Sequence, residues 1–129
     1  MKTTTVWKTG QIFDSTYGDF KIETGSGSFS PKALLLSGLA GCAGIDVVLI
    51  LEKMRVPFAN LQIDVETEQT DGEPKVFKDI MMTFTVQAAL DSADKIRKAI
   101  DLSLEKYCGV AAMLQKHSKI NYELILKPE

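Results

Sequence analysis

Hydrophobic and polar positions alternate with changing period along the chain, and each change marks an element. Between Ser30 and Arg55 polar residues nearly vanish. Leu34, Leu35, Leu36, Leu39, Val47, Val48, Leu49, Ile50 and Leu51 cover almost every side of a helix, and from Leu34 to Leu51 only Asp46 is charged. Ser30 suits an N-cap and Pro31 the first turn, where its missing N–H costs nothing. Val56-Pro57 predicts the end, because a residue before proline is biased away from helical dihedrals. A helix apolar all round must be surrounded. It also carries Ser37, Gly38, Ala40, Gly41, Ala43 and Gly44, and each interior glycine costs about 1 kcal/mol of helix propensity relative to alanine. Close approach of another element, most simply a helix, is the expected compensation around Cys42.

Shorter periods flank this segment. Val6-Trp7, Ile12-Phe13 and the alternating Phe20 and Ile22, separated by turns at Thr9-Gly10 and Tyr17-Gly18, predict a small strand meander ahead of Gly25-Ser26-Gly27-Ser28. Leu61, Ile63 and Val65 alternate with Gln62, Asp64 and Glu66. After a turn at Thr70–Pro74, Ile80, Met82, Phe84 and Val86 alternate again, which predicts two antiparallel strands with one buried face. Helical spacing returns with Ile96, Ile100, Leu104 and Tyr107, capped by Asp91 or Ser92. A break is expected at Tyr107-Cys108-Gly109, then a short helix over Val110–Leu114 and a closing strand through Ile120, Tyr122, Leu124 and Leu126. The order implies a single α+β domain over residues 1–129, with sheet packed on one long buried helix.

Composition narrows the function classes. Fifteen basic side chains stand against seventeen acidic ones with no basic block, so neither nucleic acid nor an anionic membrane is expected as partner. The long apolar segment would just qualify as a membrane span by length. A carboxylate near its middle costs about 2.5 to 3.5 kcal/mol on insertion scales, and no second span exists, so a membrane protein is not expected. Met1–Thr5 lacks the apolar core of a signal peptide, and two cysteines make no secreted disulfide framework, which points to a reducing, cytoplasmic setting.

The candidate chemistry lies with those two thiols. Cys42 sits inside the long helix. Cys108 sits at a glycine-marked junction that places it at the N-terminus of the short helix, where the dipole favours thiolate. Their spacing excludes a CxxC redox motif, and with only His117 besides they are too few for a zinc site, so no metal is expected. Both could equally be small buried hydrophobes. Against that stands Asp46, on the same helix face as Cys42, with Gly38 one turn the other way: a buried carboxylate needs a polar partner. His117 reads as a solvated cation at a helix end, Trp7 as an interface or sheet-packing aromatic, Met54, Met81, Met82 and Met113 as core fillers, and Tyr107 as core packing or pocket lining.

The run from Ser30-Pro31-Lys32-Ala33 through Ser37-Gly38-Leu39-Ala40-Gly41-Cys42-Ala43-Gly44-Ile45-Asp46-Val47-Val48 resembles the OsmC/Ohr family of osmotically induced and organic hydroperoxide resistance proteins. Tyr107-Cys108-Gly109-Val110-Ala111-Ala112-Met113-Leu114 resembles that family's second cysteine region. The Gly-Cys-x-x-x-Asp-Val form is similar to the OsmC-like branch more than to Ohr itself. The resemblance implies antiparallel sheets wrapped around two central helices in an intertwined homodimer, with active sites at the subunit interface. It implies a thiol peroxidase that needs no cofactor: Cys42 attacks an organic hydroperoxide and becomes a sulfenic acid, Cys108 condenses with it to a disulfide, and an external dithiol, often lipoyl-linked in the family, reduces the product. Asp46, Gly38, Tyr107 and Lys32 would line the pocket. Family peroxidases activate the thiolate with an N-terminal arginine and a glutamate early in the central helix. Here the only arginines are Arg55 and Arg97, and Lys32-Ala33 occupies the glutamate's stretch. Lys8, Lys21 or Lys32 could supply charge but not guanidinium geometry. A dimer that binds a small apolar or thiol-reactive ligand, or senses redox state, stays open beside the enzyme, as does a structural dimer with inert cysteines.

Overall fold

A computed structural model describes all residues, Met1–Glu129. Helix α1 spans Pro31–Lys53. Ser30 caps it: its carbonyl accepts the Leu34 N–H at 3.0 Å, and its hydroxyl takes a long contact of 3.5 Å from the Ala33 N–H. The C-terminus closes earlier and differently from the proline stop that Val56-Pro57 predicts. Arg55 turns left-handed at φ 57°, the Arg55 N–H reaches the Glu52 carbonyl at 3.0 Å, and the Val56 N–H reaches Leu51 at 3.0 Å. That is a Schellman closure with Val56 buried behind it, so the last carbonyls of α1 are satisfied before the proline is reached.

Contacts divide the chain into two compact units, Met1–Leu36 and Ser37–Glu129. In the first, β1 (Thr4–Thr9), β2 (Ile12–Tyr17) and β3 (Phe20–Gly25) form an antiparallel meander in that order. Gly10 and Gly18 turn the chain with φ of 53° and 57°, a region in which side-chain-bearing residues are strained. Ion pairs Lys8–Glu23 at 3.1 Å and Lys21–Asp14 at 3.4 Å cross the strands. Trp7, Val6 and Phe20 are exposed.

In the second unit, β4 (Ala59–Gln69), β5 (Phe77–Gln87) and β6 (Ile120–Lys127) form a sheet in that order. β4 and β5 are antiparallel, with Val65 opposite Met82. β6 departs from the antiparallel expectation: it runs parallel to β5, with Phe84 beside Leu124. The long connection through a 3-10 turn (Leu90–Ser92), α2 (Ala93–Leu102), a π turn (Ser103–Tyr107) and α3 (Gly109–Leu114) is the crossover that parallel pairing requires. Of the two anticipated caps, Ser92 occupies the N-cap position of α2 but makes no side-chain cap bond, and Asp91 lies within the 3-10 turn.

Ile80, Met82, Phe84 and Val86 of β5 form the centre of the core with Ile96, Ala99 and Ile100 of α2 and the row Leu39, Ala43, Val47 and Leu51 of α1. That row has the i, i+4 spacing of a single helix face. The expected burial of α1 on all sides is therefore not achieved within one chain, and Ile45 and Leu49 remain 64% and 51% exposed. The close approach that a glycine permits is made by a strand: a Cβ at Gly44 would sit 3.0 Å from Ile63 Cδ1, while Gly38 and Gly41 face open space. Of the methionines read as core fillers, Met82 is buried, Met54 and Met81 are half-buried, and Met113 is exposed, since α3 turns it outward.

Candidate dithiol site

Cys42 lies in the middle of α1, half-buried beside the core, and Cys108 is 2% exposed. Both are free thiols. The π turn brings the second cysteine into place. A helix that widens to i→i+5 bonding, as at Ser103–Tyr107, ends with the Cys108 N–H donating to the Ser103 carbonyl at 2.7 Å. Cys108 then becomes the N-cap of α3, where its sulfur accepts the Ala111 N–H at 3.3 Å.

The two sulfurs are close enough to influence each other's proton. The Cys108 thiol is pushed up to about 11, first by burial and then by the Cys42 side chain and the charge of Asp46, with the Ala111 N–H opposing. Cys108 is thus held neutral at ordinary pH, and the helix-terminus position that favours thiolate is outweighed by desolvation.

Asp46 follows Cys42 by one turn of α1 and finds its polar partner in Ser103, whose hydroxyl donates to Asp46 Oδ2 at 3.0 Å and lies 3.3 Å from the Ala43 carbonyl. Ser103 is fully buried. Sequence reasoning passed over it, although a signal was present: Ser103 continues the inward face of Ile96, Ala99 and Ile100, and a hydroxyl on a buried helix face needs a partner.

The remaining expected pocket residues are dispersed. Gly38 is open to solvent. Tyr107 is 54% exposed, with Lys106 Nζ 5.3 Å from its ring centre, so it does not pack in the core. Lys32 is exposed in the first turn of α1, nearly three turns before Cys42. His117 is exposed beyond α3 and contacts Ser118 Oγ at 3.1 Å. No three metal-ligating side chains come together.

Two three-stranded sheets with a long cysteine-bearing helix and a second cysteine at a helix N-cap define a mixed α+β class of dithiol proteins. The OsmC-like protein profile matches residues 24–123, and the chain belongs to that family. It is 36% identical over 98 residues to Protein YhfA of Escherichia coli K12, covering 74% of this chain and 73% of that protein. A hypothetical protein from Aquifex aeolicus VF5 superimposes with a TM-score of 0.91 at 25% identity, covering 99% of this chain and 96% of the other. The organic hydroperoxide resistance protein OhrB of Bacillus subtilis shares the fold at a TM-score of 0.62 and 18% identity, with 98% and 96% covered. By length and apolar composition alone, α1 would also qualify as a helix able to cross a membrane.

Proposed function

We propose that this protein is a thiol-dependent peroxidase that reduces organic hydroperoxides in a cytoplasmic oxidative stress response. Cys42 attacks the peroxide oxygen, the O–O bond breaks, the alcohol leaves, and Cys42 becomes a sulfenic acid. Cys108 attacks that sulfur, water departs, and a disulfide remains for an external dithiol to reduce. The observation that carries this reading is the asymmetry of the pair. Cys42 is the more accessible thiol, while Cys108 is sealed, held neutral and beside it, which suits a second thiol that reacts only once its neighbour is oxidised.

The active unit is a homodimer. Its support is the unpartnered side of α1, where Ile45 and Leu49 stand exposed over an apolar groove of about 520 Å3 lined by Ala40, Gly41, Gly44, Ile45, Leu61 and Ile63. Burying an aliphatic side chain of that size contributes about 1.5 to 3 kcal/mol, so a second copy of the helix is favoured there.

A second reading, a dimer that binds a small apolar or thiol-reactive ligand or senses redox state without efficient turnover, is favoured by one observation. Beside Cys42 itself, the charge acting on Cys108 is that of the Asp46 carboxylate, which opposes thiolate formation instead of promoting it.

Stoichiometric cumene hydroperoxide separates the two. In the peroxidase, both thiols are lost rapidly in the native protein, Cys42→Ser abolishes the reaction, and Cys108→Ser stops at a sulfenic acid that dimedone captures. Slow oxidation unaffected by Cys108→Ser would favour the ligand-binding reading.

A further inference from the structure

Asp46 has one oxygen anchored and the other open. Oδ2 accepts the Ser103 hydroxyl at 3.0 Å, whereas Oδ1 accepts no hydrogen bond from the chain and is not sealed from solvent. The anchor is itself tied to the second cysteine, because the Ser103 carbonyl accepts the Cys108 N–H at 2.7 Å. The carboxylate projects from α1 one turn beyond Cys42, on the same face. Besides Cys42, Asp46 is the ionisable group whose charge acts on Cys108.

We infer that Asp46, held in place by Ser103, is the proton acceptor for Cys108 when Cys108 attacks an oxidised Cys42. The inference rests on the two-cysteine reading above and assigns its second step. A thiol that ionises only near pH 11 is a poor nucleophile at neutral pH unless its proton is removed as it reacts. The Cys108 S–H bond breaks and its proton passes to Asp46. The electron pair forms the bond to the Cys42 sulfur, whose S–O bond breaks, and the departing hydroxide takes the proton from Asp46 and leaves as water. The carboxylate returns to its starting state, and no other oxidant or reductant enters. Burial keeps Cys108 neutral at rest, with Asp46 adding to it, and the same carboxylate is the base that frees the thiol during attack.

The step can be isolated without peroxide. Dithiobis-nitrobenzoate labels the accessible Cys42 as a mixed disulfide, and Cys108 then expels thionitrobenzoate, whose absorbance reports the rate. The proton of Cys108 again goes to Asp46 and from there to solvent. Asp46→Asn is expected to slow expulsion about a hundredfold at neutral pH, with a rate that rises steeply with pH as hydroxide replaces the lost base. An unchanged or faster rate overturns the inference, because a carboxylate acting only as a like charge would hold Cys108 back and its removal would accelerate attack. Ser103→Ala keeps the carboxylate and loses its anchor, so it should slow expulsion less while preserving the wild-type pH profile; should Asp46→Asn fail to fold, a wild-type rate in Ser103→Ala overturns the anchoring role. If wild-type protein expels thionitrobenzoate with this dependence yet never reacts with hydroperoxide, the peroxidase reading fails and the base assignment stands. If hydroperoxide yields the disulfide but Asp46→Asn expels as fast as wild type, the assignment alone fails.

Discussion

Ser103→Ala is the perturbation whose effect the structure defines most closely. The hydroxyl is fully buried and donates to a carboxylate at 3.0 Å, with the Ala43 carbonyl a weaker second acceptor at 3.3 Å. A hydrogen bond to a charged group contributes about 1.5 to 3 kcal/mol, and its loss leaves Asp46 without a protein donor. Alanine recovers about 0.5 kcal/mol of helix propensity and leaves little void, since only one oxygen is removed. The net cost should be about 1 to 2.5 kcal/mol. A double-mutant cycle with Asp46→Ala, read by urea denaturation at one protein concentration, isolates the pairwise part. The expected coupling is about 1.5 kcal/mol. A coupling below about 0.5 kcal/mol in variants that keep the wild-type denaturant slope would refute the claim that this bond ties the cysteine-bearing turn to α1.

Three other outcomes follow from the same structure. The folded state holds Cys108 neutral up to about 11 against an ordinary 9.0, so its stabilising contribution is complete below pH 9.0 and disappears as pH rises through about 11; ultraviolet thiolate titration of Cys42→Ser, which removes the Cys42 contribution and keeps burial, should leave the remaining transition above 9.0, and a midpoint at or below 9.0 would contradict it. Phe84→Ala removes a fully buried ring that meets Tyr122 edge-on at 5.9 Å, which should cost about 3 to 5 kcal/mol by thermal or urea unfolding; a loss under about 1 kcal/mol would mean this ring does not anchor the core. Ile45→Glu, at a position 64% exposed within one chain, should leave the fold intact and weaken dimerisation at least about tenfold in analytical ultracentrifugation; an unchanged association constant would remove this face of α1 from the interface.

Periodicity made most of the fold legible. The alternation from Ile80 to Val86 placed β5 and its buried face, and the Ser30-Pro31 pair placed the start of α1. What escaped depends on contacts between distant parts of the chain. Parallel pairing of β6 has no local signature, because strand direction is set by the crossover before it. The Arg55 turn was hidden because a non-glycine residue takes the left-handed position. Cys42 and Asp46 were readable as an i, i+4 pair on one helix face. Their partner Ser103 lies 57 residues beyond Asp46, and only the folded register of α1 against the π turn brings the two together. The π turn itself was visible only as a break before Gly109, while the widened bonding that positions Cys108 is a property of backbone geometry. The exposed Tyr107 misled because its spacing continues the inward face of Ile96, Ile100 and Leu104; the widened turn rotates it out of register.

The most direct test of the account is non-reducing peptide mapping after one equivalent of cumene hydroperoxide, with monomeric and dimeric species separated first under denaturing conditions. An intrachain peptide pair joined through Cys42 and Cys108 is expected, with two hydrogens lost and no cross-link between chains. Thiols that stay free, or that join only between chains, would contradict it.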